Sequence, residues 1–138
     1  KKISYNKTGE NMARVKVKIE QHQIIDDNDD KMFFDGEAIF NNDYVQVWLM
    51  HEKSLINYLL VKKITNQTYN LIFHQTKTQA LLRVGKKEIF NYPTSEGMLN
   101  LETILIEGLL HDNQLYLEYE LLSNSKHLSI NILLITLA

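Results

Sequence analysis

The chain contains no cysteine, one proline (Pro93) and five glycines among 138 residues. Without cysteine there is no disulfide, no thiol nucleophile and no thiolate metal site. The single proline and few glycines exclude collagen-like and low-complexity architectures. The formal charge is only −2, so neither nucleic acid nor an anionic membrane surface is an expected partner. No stretch approaches the roughly 18 apolar residues that a membrane helix needs. Residues 1–11 are polar and lack the apolar core of a secretion signal. They are expected to form a flexible N-terminal tail, with one domain over 12–138. The lack of cysteine and of a signal fits a cytoplasmic protein.

What is present is alternation. Val15, Val17 and Ile19 alternate with Lys16, Lys18 and Glu20, the period of a strand with one buried face. The run Asp26 to Asp30 is made of turn formers. Met32, Phe34, Ala38 and Phe40 suggest a second strand, with a bulge or bend at Gly36. Tyr44 to Met50 reads as a strand buried on both faces, and Asn57 to Thr65 and Tyr69 to Phe73 follow as further strands. Gln79 to Val84 and Glu88 to Tyr92, separated by Gly85-Lys86, read as a hairpin. After a corner at 92–97, Leu99, Leu101, Thr103 and Leu105 share one side of a long strand. Leu115, Leu117, Tyr119 and Leu121 form the cleanest amphipathic strand. Leu128, Ile130, Ile132 and Leu134 are expected to supply the apolar side of the last one, with Ser129 and Asn131 between them. About ten strands at intervals of roughly 8–12 residues, with no helical period, predict an all-β fold. A sheet of ten twisted strands tends to curl and close, which removes its edges. A single antiparallel barrel of about 8–10 strands is therefore expected, with a two-sheet sandwich as the alternative.

From Gly36 onward the order of features resembles a bacterial family of uncharacterised proteins, the YwiB-like family, whose fold is calycin-like (lipocalin-like). The resemblance rests on the aromatic strand Tyr44 to Trp48, on Tyr92-x-Thr94-x-x-Gly97 followed by Leu99-x-Leu101, and on the paired patterns Leu117-x-Tyr119-x-Leu121 and Leu128-x-Ile130-x-Ile132. Two positions depart from the family pattern: Glu96 replaces an aromatic residue, and His74-Gln75-Thr76 stands where Arg-x-Gly is usual. The resemblance implies a fold and no activity. By analogy of fold alone, it suggests a small apolar ligand.

No catalytic constellation emerges. Asp26, Asn28, Asp30 and Glu37 match positions of a calcium loop, but Lys31 replaces the glycine that makes its turn. A solvated turn is the simpler reading. The five histidines (His22, His51, His74, His111 and His127) show no ligand spacing, so no metal or cofactor is expected. If the barrel is hollow, Tyr44, Trp48, Phe73, Phe90 and Tyr92 are the rings expected to line it, with His74, Arg83 and Tyr92 as polar groups. The competing expectation is that these rings simply fill the barrel. The leading functional expectation is a non-enzymatic protein that binds a small apolar or amphipathic ligand. The alternative is a protein-interaction module or homodimer using an outer face or an exposed edge strand, with Leu105, Ile106, Leu109 and Leu110 as the candidate sticky residues. A buried convergence of His74 or Arg83 with glutamates would favour an enzyme instead.

Overall fold

The computed structural model describes residues 3–5 and 11–138, and side chains from residue 13 onward. Among these residues there are twelve strands and no helix. Strands β1 (Ile3–Tyr5) and β2 (Asn11–Ala13) pair with each other. The expected tail at 1–11 therefore falls on β1, on Asn11 of β2 and otherwise outside the described residues. The other ten strands are β3 (Val15–Ile25), β4 (Asn28–Phe40), β5 (Tyr44–His51), β6 (Ser54–Thr65), β7 (Thr68–Phe73), β8 (Thr78–Arg83), β9 (Lys87–Thr94), β10 (Gly97–His111), β11 (Gln114–Ser123) and β12 (Lys126–Leu137). They form one antiparallel sheet in the order β8-β7-β6-β5-β4-β3-β12-β11-β10-β9. The sheet curls into a nearly closed barrel, as the strand count and alternation imply.

The barrel closes at one end only. Val84 bridges Leu105 in parallel, and the Gly85 amide donates to the Leu105 carbonyl at 3.2 Å. Thr103 Oγ1 donates to the Leu81 carbonyl at 3.0 Å. These bonds fasten β8 to the middle of β10. Gly85 makes the turn into β9 with φ +70°. The expected β8–β9 hairpin does not form. Its two strands stand at opposite edges of the sheet, and the one backbone bridge at their junction is Arg83–Lys86. The physical reason is that the chain leaving β8 turns onto β10: Val84 and Gly85 bond Leu105 before β9 begins, which leads β9 along β10 instead of back along β8.

At the fastened end the interior is solid. Val17, Ile19, Ala38, Val45, Val47, Leu59, Val61, Leu71, Leu82, Leu105, Leu115, Leu117 and Ile135 are buried in one cluster. Their alternation is the one legible in the sequence for β3, β10 and β11. Strand β12 differs: Ser129, Asn131, Leu133 and Ile135 face inward, opposite Leu121, Tyr119, Leu117 and Leu115. Both faces of 132–135 are apolar, so the pattern alone does not fix which side is buried, and the pairing of Ile135 with Ile19 and Leu133 with Gln21 does. Leu105 and Leu110 are also buried, which removes them from any sticky outer surface, while Ile106 and Leu109 remain exposed. Ile106 faces outward by alternation with Leu105, and the register shift between Leu105 and Glu107 reverses the parity beyond it and brings Leu110 inward.

The acidic run forms less of a turn than expected. Only Asp26-Asp27 turns, with Asp26 at φ 54°, and Asn28, Asp29 and Asp30 belong to β4, paired with Ile25, Ile24 and Gln23. Gly36 introduces no bulge, since its pairing with Val17 continues the β3–β4 register. Its role is close approach: a Cβ there would lie 2.2 Å from the Trp48 carbonyl oxygen. Gly108 is similarly constrained, with a Cβ meeting the Tyr69 ring at 2.5 Å. Gly36→Ala is expected to destabilise by about 1–3 kcal/mol, because the obstructing atom is backbone and has no rotamer to change. Urea denaturation checks it; a loss no larger than that of an exposed-face substitution such as Lys16→Ala would contradict the close approach.

Candidate functional site

The half of the barrel beyond the Val84–Leu105 closure is not filled. There β9 and the first half of β10 continue together as a two-stranded flap, turned at 94–97 by Gly97 (φ +117°) and a 2.6 Å bond from Thr94 Oγ1 to the Gly97 carbonyl. One face of the flap carries Phe90, Tyr92, Leu99 and Leu101, paired as Phe90–Leu101 and Tyr92–Leu99. Beneath it lies a cavity of about 390 Å³. The flap residues form one wall, and the lining is completed by Thr78 and Ala80 of β8, Phe73 of β7, Tyr119 and Leu121 of β11, Leu128 and Asn131 of β12, and Gln23 of β3. A neighbouring recess of about 180 Å³ between Tyr58, Phe73, Gln75, Thr76 and Tyr92 shares two of these rings.

The floor between the packed and open halves is polar and aromatic. Tyr58 sits at the β5–β6 register shift and packs edge-on to Phe73, with ring centroids 6.0 Å apart. Its hydroxyl accepts a hydrogen bond from Gln21 Nε2. Burial raises the Tyr58 hydroxyl pKa, partly offset by the Gln21 bond. Burial, with a smaller contribution from Tyr58, pushes Tyr119 up to about 12. Both phenols therefore stay protonated and neutral at physiological pH. No residue lining the cavity carries a charge. One wall atom is anomalous: Thr78 is only 4% exposed and its Oγ1 has no hydrogen-bond partner among the described residues.

Of the seven residues expected to line an interior, three do so: Phe73, Phe90 and Tyr92. The other four do not. Tyr44 alternates with the buried Val45 and Val47 and pairs with Lys62 on the outer face. Trp48 pairs with Glu37 outside, where the Arg14 guanidinium stacks 4.0 Å from its ring centroid. His74 is exposed at the β7–β8 turn. Arg83 follows the buried Leu82 and makes an outer ion pair with Glu88 at 3.7 Å. No buried His74 or Arg83 cluster with glutamates exists, and no group of acidic or histidine residues among those described could hold a metal. The calcium-loop positions are drawn apart, since Asp30 and Glu37 lie seven residues along one extended strand, roughly 23 Å at about 3.3 Å per residue. Sequence reasoning missed Gln23, Thr78, Thr103 and Asn131 as cavity residues. For Thr103 the signal was available in its alternation with Leu101 and Leu105; for the others, polarity argued for solvent.

Outside the cavity, His22 bonds Glu20 and, at 3.1 Å, Asp29. The Glu20 bond raises its pKa above the usual 6.5; burial opposes this, and Asp29 adds to the rise. A raised folded value means that the stability His22 contributes is full below about pH 6.5 and is lost as pH climbs through the folded pKa. The melting temperature is thus expected to fall between mildly acidic and mildly alkaline pH, and His22→Gln to flatten that slope. An unchanged slope in the variant would show that the imidazole is not the titrating group. Thr78→Val is expected to stabilise the protein by about 1 kcal/mol, since it removes an unpaired buried hydroxyl at nearly constant shape. Urea denaturation measures this, and a destabilisation would mean that the hydroxyl is satisfied in solution.

No family model matches the chain, and no curated protein matches it. Among solved structures, it is similar to the crystal structure of the YwiB protein from Bacillus subtilis, with a TM-score of 0.63 and 17% identity, over 91% of this chain and 92% of that one. At that identity the likeness is one of fold, a nearly closed antiparallel β-barrel followed along almost the whole length of both chains.

Proposed function

We propose that this chain is a non-enzymatic binding protein that takes a small, partly apolar molecule into the open half of its barrel. One observation carries the reading: a cavity of about 390 Å³ under a strand pair whose inner face is Phe90, Tyr92, Leu99 and Leu101. The volume falls in the range of roughly 300–1,000 Å³ typical of ligand pockets, and the lining is apolar with a few polar groups, as such pockets usually are. The packed half supplies the rigidity that a preformed pocket needs. The order of sequence features and the likeness to YwiB support placing the chain with the YwiB-like, calycin-like barrels, and the lack of cysteine agrees with a cytoplasmic setting.

A second reading, a protein-interaction module or homodimer, draws on the outer face of the same flap. Ile89 is 69% exposed there and Met98 65%, and among the described residues β9 pairs with β10 alone. Sedimentation across a concentration series separates the two, since a concentration-dependent dimer favours this second reading.

The ligand reading is tested with N-phenylnaphthylamine, an uncharged dye that brightens in apolar surroundings. Saturable brightening is expected. Leu128→Trp and Leu99→Trp, both at half-exposed cavity-lining positions that tolerate bulk, are expected to weaken it at least about tenfold by filling the space. Ile89→Trp, on the outer face, is expected to leave it unchanged. No brightening, or equal loss in all three variants, would refute the cavity reading.

A further inference from the structure

The cavity has a second, chemically distinct wall. Tyr119 of β11, Asn131 of β12 and Gln23 of β3 are direct cross-strand partners, Tyr119 with Asn131 and Asn131 with Gln23. Directly opposed side chains in an antiparallel sheet stand about 5 Å apart, so the three form one continuous polar row, and all three line the cavity. The Asn131 amide nitrogen donates to Ser129 Oγ at 3.0 Å, which fixes the amide's orientation and leaves its oxygen as an acceptor. Beyond the strand ladders, the Gln23 side chain and the Tyr119 hydroxyl make no hydrogen bond with the described residues. The row thus offers donors and acceptors, and it offers no charge. One strand further on, the row reaches Asp30, exposed and outside the cavity lining, whose carboxylate repels an incoming anion.

Four rings (Phe73, Phe90, Tyr92 and Tyr119) line the same space. Aromatic faces favour a flat, polarisable ring over a flexible chain. A charged group inside would lose its hydration and find no counter-charge.

We infer, resting on the cavity reading above, that the ligand is an uncharged planar ring system whose edge carries an adjacent hydrogen-bond donor and acceptor, read by the Gln23–Asn131–Tyr119 row. A carboxamide pairs with such an edge through two parallel hydrogen bonds, the geometry by which Asn and Gln side chains read a purine edge.

Four probes of one bicyclic shape test this by calorimetry or by displacement of N-phenylnaphthylamine. Carbostyril is neutral with a lactam edge, naphthalene has no polar edge, and naphthoate and naphthylmethylammonium are charged. Carbostyril is expected to bind at least about tenfold more tightly than either charged probe. Asn131→Leu and Gln23→Leu are each expected to weaken carbostyril about tenfold, the cost of a lost hydrogen-bonding partner, while naphthalene binding holds or improves. Gln23 is exposed at the rim, so its variant keeps the test valid if Asn131→Leu fails to fold. Charged probes binding as well as carbostyril would overturn the inference, as would carbostyril affinity that ignores Gln23→Leu. If the dye and naphthalene bind and carbostyril does not, the inference fails while the cavity reading stands. If no probe enters, both fail.

Discussion

The closure between Val84, Gly85 and Leu105, reinforced by Thr103 and the Leu81 carbonyl, governs the rest of the molecule. A curled sheet of ten strands must deal with two edges, and an unpaired edge is a liability. Here β8 is fastened to β10 instead of to its neighbour in sequence. On one side of that fastening the strands converge and their inward side chains fill the interior. On the other, β9 departs with β10 as a flap, and the space beneath it is left open.

The division of the interior follows from residue type as well as topology. Leucine, isoleucine and valine, with the single ring of Tyr69, occupy the converging half, where close packing without strain is needed. Aromatic and uncharged polar residues join Leu99, Leu101, Leu121 and Leu128 in the diverging half. Gln21 and Tyr58, hydrogen-bonded to each other at the boundary, satisfy polar groups that a purely apolar floor would leave stranded. Tyr119 remains neutral there because burial holds its proton in place. The same barrel therefore has a hydrocarbon core below and a chamber with hydrogen-bonding capacity above.

Outside the barrel, charge does little structural work. The Arg14–Trp48–Glu37 cluster lies on the outer face, with Arg14 over the ring and 3.9 Å from the Glu37 carboxylate. Exposed pairs of this kind contribute at most about 1 kcal/mol. This explains why Trp48 and Tyr44, prominent in the sequence, have no part in the cavity: their strand buries Val45 and Val47, and the parity of those two fixes the rest.

The fold class, the approximate strand count and the buried faces of β3, β10 and β11 were determined by the sequence by itself, because alternation of period two is a local property that survives in any antiparallel sheet. Of the aromatic residues, Phe73, Phe90 and Tyr92 line the cavity while Tyr44 and Trp48, read in the same way, face outward, so aromatic content by itself did not say which rings point inward. Three things were decided only by tertiary structure. The buried face of β12 was ambiguous because Ile132, Leu133, Leu134 and Ile135 are all apolar, and only pairing with β3 and β11 selects one parity. The partner of β9 was misread because Gly85-Lys86 is a good local turn, yet Val84 and Gly85 bond Leu105 of β10, a contact that no local pattern announces. The polar lining of the cavity was invisible because Gln23, Thr78 and Asn131 look like solvent-facing residues until three non-adjacent stretches of chain surround one space in a barrel that does not fill.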